Sequence, residues 1–516
     1  MQPISTSPFW RALIVVVPGV VLAIWLATKT GQGDLPVPTY FLIGVVGLLG
    51  IKIFTKRIRL EALVLGILLF GYIVGQSGFG HFSFSPSKGI YLGEVGLMIC
   101  VAAVFMRLAF TRERLVPRNG MAWAIFALLA IGTLRFVYDF RHSVQPAVVV
   151  RDFATIYYAV FYFIAFSICR QSNSKLFLQR TLIVALICAI FVSGVFFTFP
   201  SVLNYLIVHG RPFIEPRADL TGSFMGFACI CFFLNSQVGR HSIRWIVLSF
   251  AAFVALLLPL SRATFLGFAA AVVLLILAGQ AKFLLRLAIF CIIGIMILTP
   301  IVLAVKSTGE ETYATMLRDK VLSIVDPFGN KRSFSSSVGD IAAGNNEFRA
   351  VWWKSVIDET NEKSPLVGLG FGYDLAKRFL RSRQAGNPYE FDTRSPHSII
   401  LTVYGRMGIL GILSFALVVF HILRSSLRCA AVIRRGKTPA LDIALWCGAI
   451  GILVASCFGV MLEGPMAAIV FWSLLGMASY REWERTQPVE KAVPGVARSP
   501  APVLEAAAAK IAPRIA

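Results

Sequence analysis

Long uninterrupted apolar runs recur through most of this 516-residue chain, and they restrict its fold more than any other feature. Each run has about 17–22 residues, which lets a helix cross a hydrocarbon core ~30 Å thick. Hydrophobic residues make up 57% of the chain and charged residues only 15%. A soluble domain could not bury so much apolar surface, and the runs are too long for barrel strands. The sequence therefore predicts an all-α, polytopic transmembrane helical bundle of about 12–14 spans.

The basic residues between the apolar runs predict a topology. Loops rich in Lys and Arg alternate with less basic loops, and every basic loop falls on one side when the spans are threaded in order. That side is the cytoplasm, and both termini lie there. The net charge of +23 comes from these loops and does not indicate nucleic-acid binding. The predicted spans are about 11–28, 39–55, 60–76, 90–110, 121–137, 153–169, 181–199, 221–237, 245–260, 264–280, 283–305, 400–423, 441–461 and 465–479.

One outer loop, of about 90 residues, is too long to be a simple connector. It contains a helical-looking stretch at 345–362 and a Gly-rich turn, "SPLVGLGFG", at 364–372. The expected division of the chain is a transmembrane bundle at 1–305, this loop at 306–396, C-terminal transmembrane helices at 397–480, and a disordered cytoplasmic tail at 481–516.

Three polar residues near the outer face are candidates for chemistry. His397 precedes an apolar run, Arg262 lies in the tight turn of "LLPLSRATFLGF", and Arg349 lies in "FRAVWW". Each also has a purely structural interpretation. His397 could cap a span, Arg262 could extend its charge to the membrane interface, and Arg349 could belong to an interfacial aromatic belt. If a helix begins near His397, then Gly408 and Gly411 lie almost in phase with it. All three would then share one face that points into the bundle.

Other charges near the outer face have less specific interpretations. Arg151 and Asp152 most simply form a local ion pair, although a substrate contact is possible. Glu463, at an outer turn, could line the same cavity as the three candidates. The six histidines and nine cysteines have no metal-ligand spacing, and "GLGFG" lacks the strand–turn–helix context of a phosphate loop. The sequence predicts neither a metal nor a cofactor.

The stretch that begins at His397 resembles the signature of the O-antigen ligase family. The signature has His, then Asn, Ser or Gln, nine residues, Gly-x-x-Gly and an aliphatic residue. Every fixed position is present here, and the matching residues are His397, Ser398, Gly408, Gly411 and Ile412. "LSRATFLGF" resembles the family's Ser-Arg-Gly/Ala element, and "FRAVWWKSVIDETNEKSPLVGLGFG" resembles its Arg-to-Gly-rich block. The similarity extends over roughly 250–420. The family is described with about twelve spans, whereas the threading above gives fourteen.

This resemblance implies a membrane glycosyltransferase at the periplasmic face of the bacterial inner membrane. It would transfer a glycan from undecaprenyl pyrophosphate to an acceptor sugar, without a metal and with inversion. Arg262 and Arg349 would stabilise the departing pyrophosphate, because a guanidinium is always charged and binds phosphate oxygens bidentately. His397 would be the general base, and the two nearby arginines would keep its ring neutral. The bundle would also contact membrane lipid.

The sequence leaves the acceptor open. It can be lipid A-core, as for a ligase, or another glycan or a protein. An O-antigen or exopolysaccharide polymerase would share the same elements. A transporter of lipid-linked sugars is the alternative from another class. It predicts broken helices in two related halves, and we find no such repeat. A structural scaffold would explain the spans but not the ordered His and Arg elements.

Overall fold

The computed structural model describes ten stretches of the chain: 58–81, 83–85, 90–110, 119–198, 207–208, 211–237, 242–259, 261–304, 337–383 and 394–486. Its first half contains helices α1 (Leu60–Val74), α2 (Gln76–Gly80), α3 (Leu92–Phe110), α4 (Gly120–His142), α5 (Pro146–Tyr157), α6 (Val160–Cys169), α7 (Ser172–Thr198) and α8 (Ala218–Asn235). Two short antiparallel hairpins join them, β1 (Ser83–Ser85) with β2 (Ile90–Tyr91) and β3 (Ile207–Val208) with β4 (Arg211–Pro212).

The second half of the described chain is also helical. Its helices are α9 (Ser242–Leu257), α10 (Arg262–Leu277), α11 (Lys282–Ala304), α12 (Ser337–Lys363), α13 (Lys377–Arg383), α14 (Ile399–Arg434), α15 (Ala444–Ser456) and α16 (Pro465–Thr486), with a 3₁₀ turn at Ala440–Ile443 before α15. Helix α8 and the first turns of α16 carry apolar side chains on all sides, and both are buried among neighbouring helices. Helices that are apolar all round occupy the centre of a bundle.

Five of the described helices are long and apolar enough to cross a membrane, or six if one bent pair counts as a single span. The prediction of an all-α polytopic helical protein is confirmed. The number of spans stays a prediction, since the expected spans at 11–28 and 39–55 lie outside the described residues. Helix α16 continues to Thr486, so the first residues that we assigned to the tail are helical.

The expected straight span at 153–169 is instead two helices, α5 and α6, that meet at 44°. At the junction, the N–H groups of Ala159, Phe161 and Tyr162 donate to carbonyls three residues back. Such tighter bonding replaces the α-helical ladder and changes the helix direction. The Tyr158 hydroxyl at the junction donates to Glu94 Oε1 at 2.5 Å, which anchors the bend to α3.

The polar segment 337–383 has a small apolar core of its own. In this core the rings of Trp352 and Phe379 stack with centroids 5.5 Å apart, and Val356, Leu375 and Ala376 complete it. Helix α12 confirms the helix expected at 345–362, and it lies against α14. The segment is therefore a folded unit seated on the bundle, and it brings α12 to the start of α14.

Candidate active site

His397 lies before the helix that follows it. Helix α14 begins at Ile399, and His397 has φ 55°, a left-handed conformation that costs a non-glycine residue about 1–2 kcal/mol. Neighbouring contacts hold this conformation. Trp353 Nε1 donates to Pro396 O at 2.7 Å, and the His397 N–H donates to Ser395 Oγ at 3.4 Å. The imidazole also meets the edge of the Trp352 ring, with centroids 5.7 Å apart. Helix α12 therefore positions the histidine.

The expectation that His397, Gly408 and Gly411 share one helix face is wrong. Gly408 has φ 60° and ψ −154°, so the regular helix is interrupted there and its phase is lost. The chain from Pro365 to Gly368 fills the break. A Cβ on Gly408 would lie 2.5 Å from Pro365 O, and a Cβ on Gly368 would lie 2.4 Å from the backbone of Arg406 and Met407. Only glycine allows both the conformation and the approach.

The Gly-rich turn is docked through its own amides, and all five N–H groups from Gly368 to Gly372 donate to protein oxygens. Their acceptors, in order, are Ser364 O, Gly405 O, Arg406 O, Asp139 Oδ2 and Asp152 Oδ2, at 2.7–3.2 Å. These five amides are therefore occupied by acceptors within the protein. These bonds give the turn a structural role.

A buried ion pair lies beneath this turn. Arg406 Nη1 lies 2.5 Å from Asp152 Oδ2, and the side chains are 4% and 6% exposed. Arg394 Nη2 lies 3.6 Å from the same oxygen and donates to Gly372 O at 2.6 Å. The simple expectation of a local Arg151–Asp152 pair was wrong, because α5 turns Asp152 into the bundle and leaves Arg151 exposed.

Arg349 interacts electrostatically with the other two sequence candidates. From α12 its Nη1 donates to Phe458 O at 3.1 Å, in the connection between α15 and α16. Burial lowers the pKa of Arg349 from its ordinary value, and the negative charge of Asp219 raises it. Its charge acts on Arg262, the first residue of α10, and on His397. Arg349 is therefore within electrostatic range of both other candidates.

Two further charged residues, which the sequence did not single out, belong to the same cluster. Arg217 precedes α8 and Asp219 lies in its first turn, with Arg217 Nη2 3.1 Å from Asp219 Oδ2. Asp219 Oδ2 faces Gly459, next to the carbonyl that holds Arg349. No sequence signal distinguishes "PRADL" from an ordinary helix start. Only the packing of α8 against α15 brings this pair to the site.

The surroundings of His397 favour its neutral form. Burial lowers the pKa of His397 from its ordinary value, and the charge of Arg349 lowers it further. Arg217 acts in the same direction more weakly, whereas the Ser395 contact and Asp219 raise the pKa. We expected Arg262 and Arg349 to keep this ring neutral. The two arginines that lower its pKa are Arg349 and Arg217. A neutral imidazole near pH 7 can accept a proton.

Glu463 lies behind the histidine segment. Its Oε1 accepts a hydrogen bond from Thr402 Oγ1 at 2.9 Å, and Thr402 Oγ1 lies 3.3 Å from Ser395 Oγ. Burial raises the pKa of Glu463, while hydrogen bonds from Ser395 and Thr402 lower it. This chain of polar contacts supports the backbone of Ser395 and, through it, that of His397. Within the described stretches, no group of three or more His, Cys, Asp or Glu side chains is arranged to hold a metal ion.

Residues 247–416 match the family described as O-antigen ligase. This stretch is similar to the O-antigen ligase family. The matched stretch includes His397, Arg262 and Arg349, and the match supports a membrane enzyme of the O-antigen ligase or polymerase family, a family whose substrates are lipid-linked glycans. Four charged residues described above lie outside the matched stretch and belong to other parts of the bundle: Arg217, Asp219, Asp152 and Glu463. No curated protein matches the chain.

Proposed function

We propose that this protein transfers a glycan from undecaprenyl pyrophosphate to an acceptor sugar. The observation that carries the proposal is the arrangement on α12, where the Trp352 ring meets His397 and the nearby charge of Arg349 acts on both His397 and Arg262. A base beside two guanidiniums suits a reaction that takes a proton from one substrate and releases an anion from the other. The site would face the periplasm of the bacterial inner membrane, with segment 306–396 as the periplasmic loop above it.

In the proposed step, neutral His397 accepts the proton of the acceptor hydroxyl. The hydroxyl oxygen forms a bond to the anomeric carbon, and the bond from that carbon to the pyrophosphate oxygen breaks. The electron pair leaves with undecaprenyl pyrophosphate, and attack from the opposite face inverts the anomeric configuration. His397 then releases its proton to water. Arg262 and Arg349 stabilise the charge that develops on the leaving group, which is worth ~3–4 kcal/mol for a well-placed donor.

The lipid carrier explains why a helical bundle hosts this chemistry. The polyprenyl chain is apolar and needs a path along the bilayer, whereas its pyrophosphate is polar and needs charged partners at the membrane surface. The pyrophosphate is already an activated leaving group, so no nucleotide is required outside the cell. The acceptor is lipid A-core in a ligase and a second lipid-linked glycan in a polymerase, and the proposed site serves either one.

Transfer by the purified protein tests this proposal. In detergent with a metal chelator, the wild-type protein is expected to join glycan from undecaprenyl pyrophosphate to an acceptor and to release undecaprenyl pyrophosphate in equal amount. Parallel reactions with lipid A-core and with a second lipid-linked glycan separate ligase from polymerase. A protein that moves the intact lipid-linked glycan across vesicles, and transfers it to neither acceptor, would be a transporter.

Arg262→Lys tests whether the proposed pyrophosphate contact needs bidentate hydrogen bonds or only a positive charge. We expect the transfer rate to fall roughly tenfold with lysine and ~10²–10³-fold with glutamine, because lysine keeps the charge but loses bidentate binding. Arg151→Lys, at an exposed position on α5, is the matched control and should transfer at the wild-type rate. Full activity of Arg262→Lys would argue against a bidentate contact.

A further inference from the structure

The backbone of Arg217 is locked in place from a distant part of the chain. Gln76 Oε1 accepts a hydrogen bond from the Arg217 N–H at 2.8 Å, and Gln76 Nε2 donates to Thr221 Oγ1 at 3.0 Å. A bridge between Gln76 and Glu215 lies beside these contacts, with the Ser77 N–H donating to Glu215 O at 3.2 Å. The start of α8 is therefore bonded to the break between α1 and α2.

Gln76 itself has an unfavourable conformation. Its φ is 48°, in the left-handed region that a glutamine rarely adopts, and its side chain is 1% exposed. Strain of this kind persists only where the surroundings hold it. Here it places a buried amide that bonds both to the Arg217 N–H and to Thr221 Oγ1.

The side chain of Arg217 remains accessible although its backbone is fixed. It is 37% exposed and pairs with Asp219 at 3.1 Å. Asp219 in turn adjoins Gly459, beside the Phe458 carbonyl that receives Arg349. A charge that is fixed by its backbone, oriented by one carboxylate and open to solvent is prepared for a ligand.

We propose that Arg217 is a third arginine that binds the donor's pyrophosphate, with Asp219 orienting its guanidinium and Gln76 fixing its backbone. This inference rests on the proposed function, which supplies the pyrophosphate. The donor carries one negative charge on each phosphate, and departure of the glycan adds a further charge. Arg262, Arg349 and Arg217, offset by Asp219, match the charge of the bound donor. Arg217 then makes the site selective for a pyrophosphate over a monophosphate.

Binding of the two lipid phosphates tests the role of Arg217. Purified wild-type protein, Arg217→Gln, Arg217→Lys and the control Arg151→Gln are titrated in detergent with undecaprenyl pyrophosphate and with undecaprenyl monophosphate. We expect Arg217→Gln to lose at least ~10-fold in affinity for the pyrophosphate and less than ~3-fold for the monophosphate. Arg217→Lys should keep part of the preference, and Arg151→Gln all of it. The thermal midpoint of Arg217→Gln should equal that of the wild type.

Gln76→Ala tests the positioning role separately. It removes the acceptor of the Arg217 N–H but leaves the guanidinium, so we expect a weaker preference for the pyrophosphate and a raised KM for the donor with little change in kcat. A loss of affinity for both lipids alike would show a general folding defect and would overturn the positioning role.

Failure of this inference differs from failure of the proposed function. If the wild type transfers glycan but Arg217→Gln retains its full preference for the pyrophosphate, the role of Arg217 is overturned and the proposed function stands. If Arg217→Gln binds both lipids less well and melts earlier, Arg217 is structural, and the inference is again overturned. A wild-type protein that transfers no glycan overturns the proposed function itself.

Discussion

Replacement of His397 by asparagine is expected to slow glycan transfer by ~10²–10⁴-fold, the contribution of a general base. Asparagine is the informative substitution, because it tolerates the left-handed conformation that His397 adopts and has no basic nitrogen. Alanine would change the backbone preference as well. Transfer from the lipid-linked donor by purified protein measures the effect, with donor binding and the thermal midpoint expected to stay close to wild type.

The pH profile distinguishes a base from a residue that merely shapes the site. Burial and Arg349 lower the pKa of His397, so the neutral ring persists to more acidic pH than in an ordinary histidine. The wild-type kcat/KM should therefore fall only as pH drops below ~6.5, the usual histidine value. The residual activity of His397→Asn should lack this acidic limb.

An exposed histidine provides the control for His397. His142 ends α4, lies in solvent and bonds only to the Tyr138 carbonyl of its own helix, at 2.7 Å. His142→Asn should retain both the rate and the acidic limb. Wild-type activity in His397→Asn, or an unchanged acidic limb in its residual activity, would remove the base assignment.

Arg406→Met is expected to give the largest loss of stability in the site. It leaves Asp152 buried without its closest cation, and breaking a buried pair costs about 3–5 kcal/mol. Arg394, at 3.6 Å, compensates only in part. The thermal midpoint in detergent should fall, and transfer should fall with it because the Gly-rich turn loosens.

A second substitution separates charge from packing at this pair. Asp152→Asn keeps an acceptor oxygen for the Gly372 N–H and removes the unpaired charge, so the double variant with Arg406→Met should melt higher than Arg406→Met alone. Arg378→Met breaks an exposed pair with Glu362 and should leave the midpoint unchanged, because solvent screens such pairs. A double variant that melts as low as Arg406→Met would mean that Arg406 acts through packing.

Much of the fold follows from local pattern. An apolar run longer than a bilayer is thick must form a helix in lipid, because no other spanning segment satisfies its own backbone. The helix at α12 and the Gly-rich turn after it were readable for the same reason, since periodicity and glycine content are local properties. The candidates His397, Arg262 and Arg349 also came from the sequence, through motifs at fixed spacing.

The long-range contacts were not readable. The bend between α5 and α6 depends on an anchor in α3, and the break at Gly408 exists because the Gly-rich turn docks there. A helix-phase rule applied to His397 failed because it assumed a continuous helix, which that docking prevents. Local sequence gives the period of a helix. It does not show where a distant segment packs into the helix and interrupts it.

The sequence by itself determined an all-α bundle with repeated apolar helices, a helical polar segment, and one histidine and two arginines as candidates. The tertiary structure alone decided what lies around them. It pairs Asp152 with Arg406, 254 residues away, and it brings Arg217 and Asp219 beside Arg349. The physical reason is that charge pairing depends on which helix ends meet, and helix ends meet through packing of faces that no local motif records.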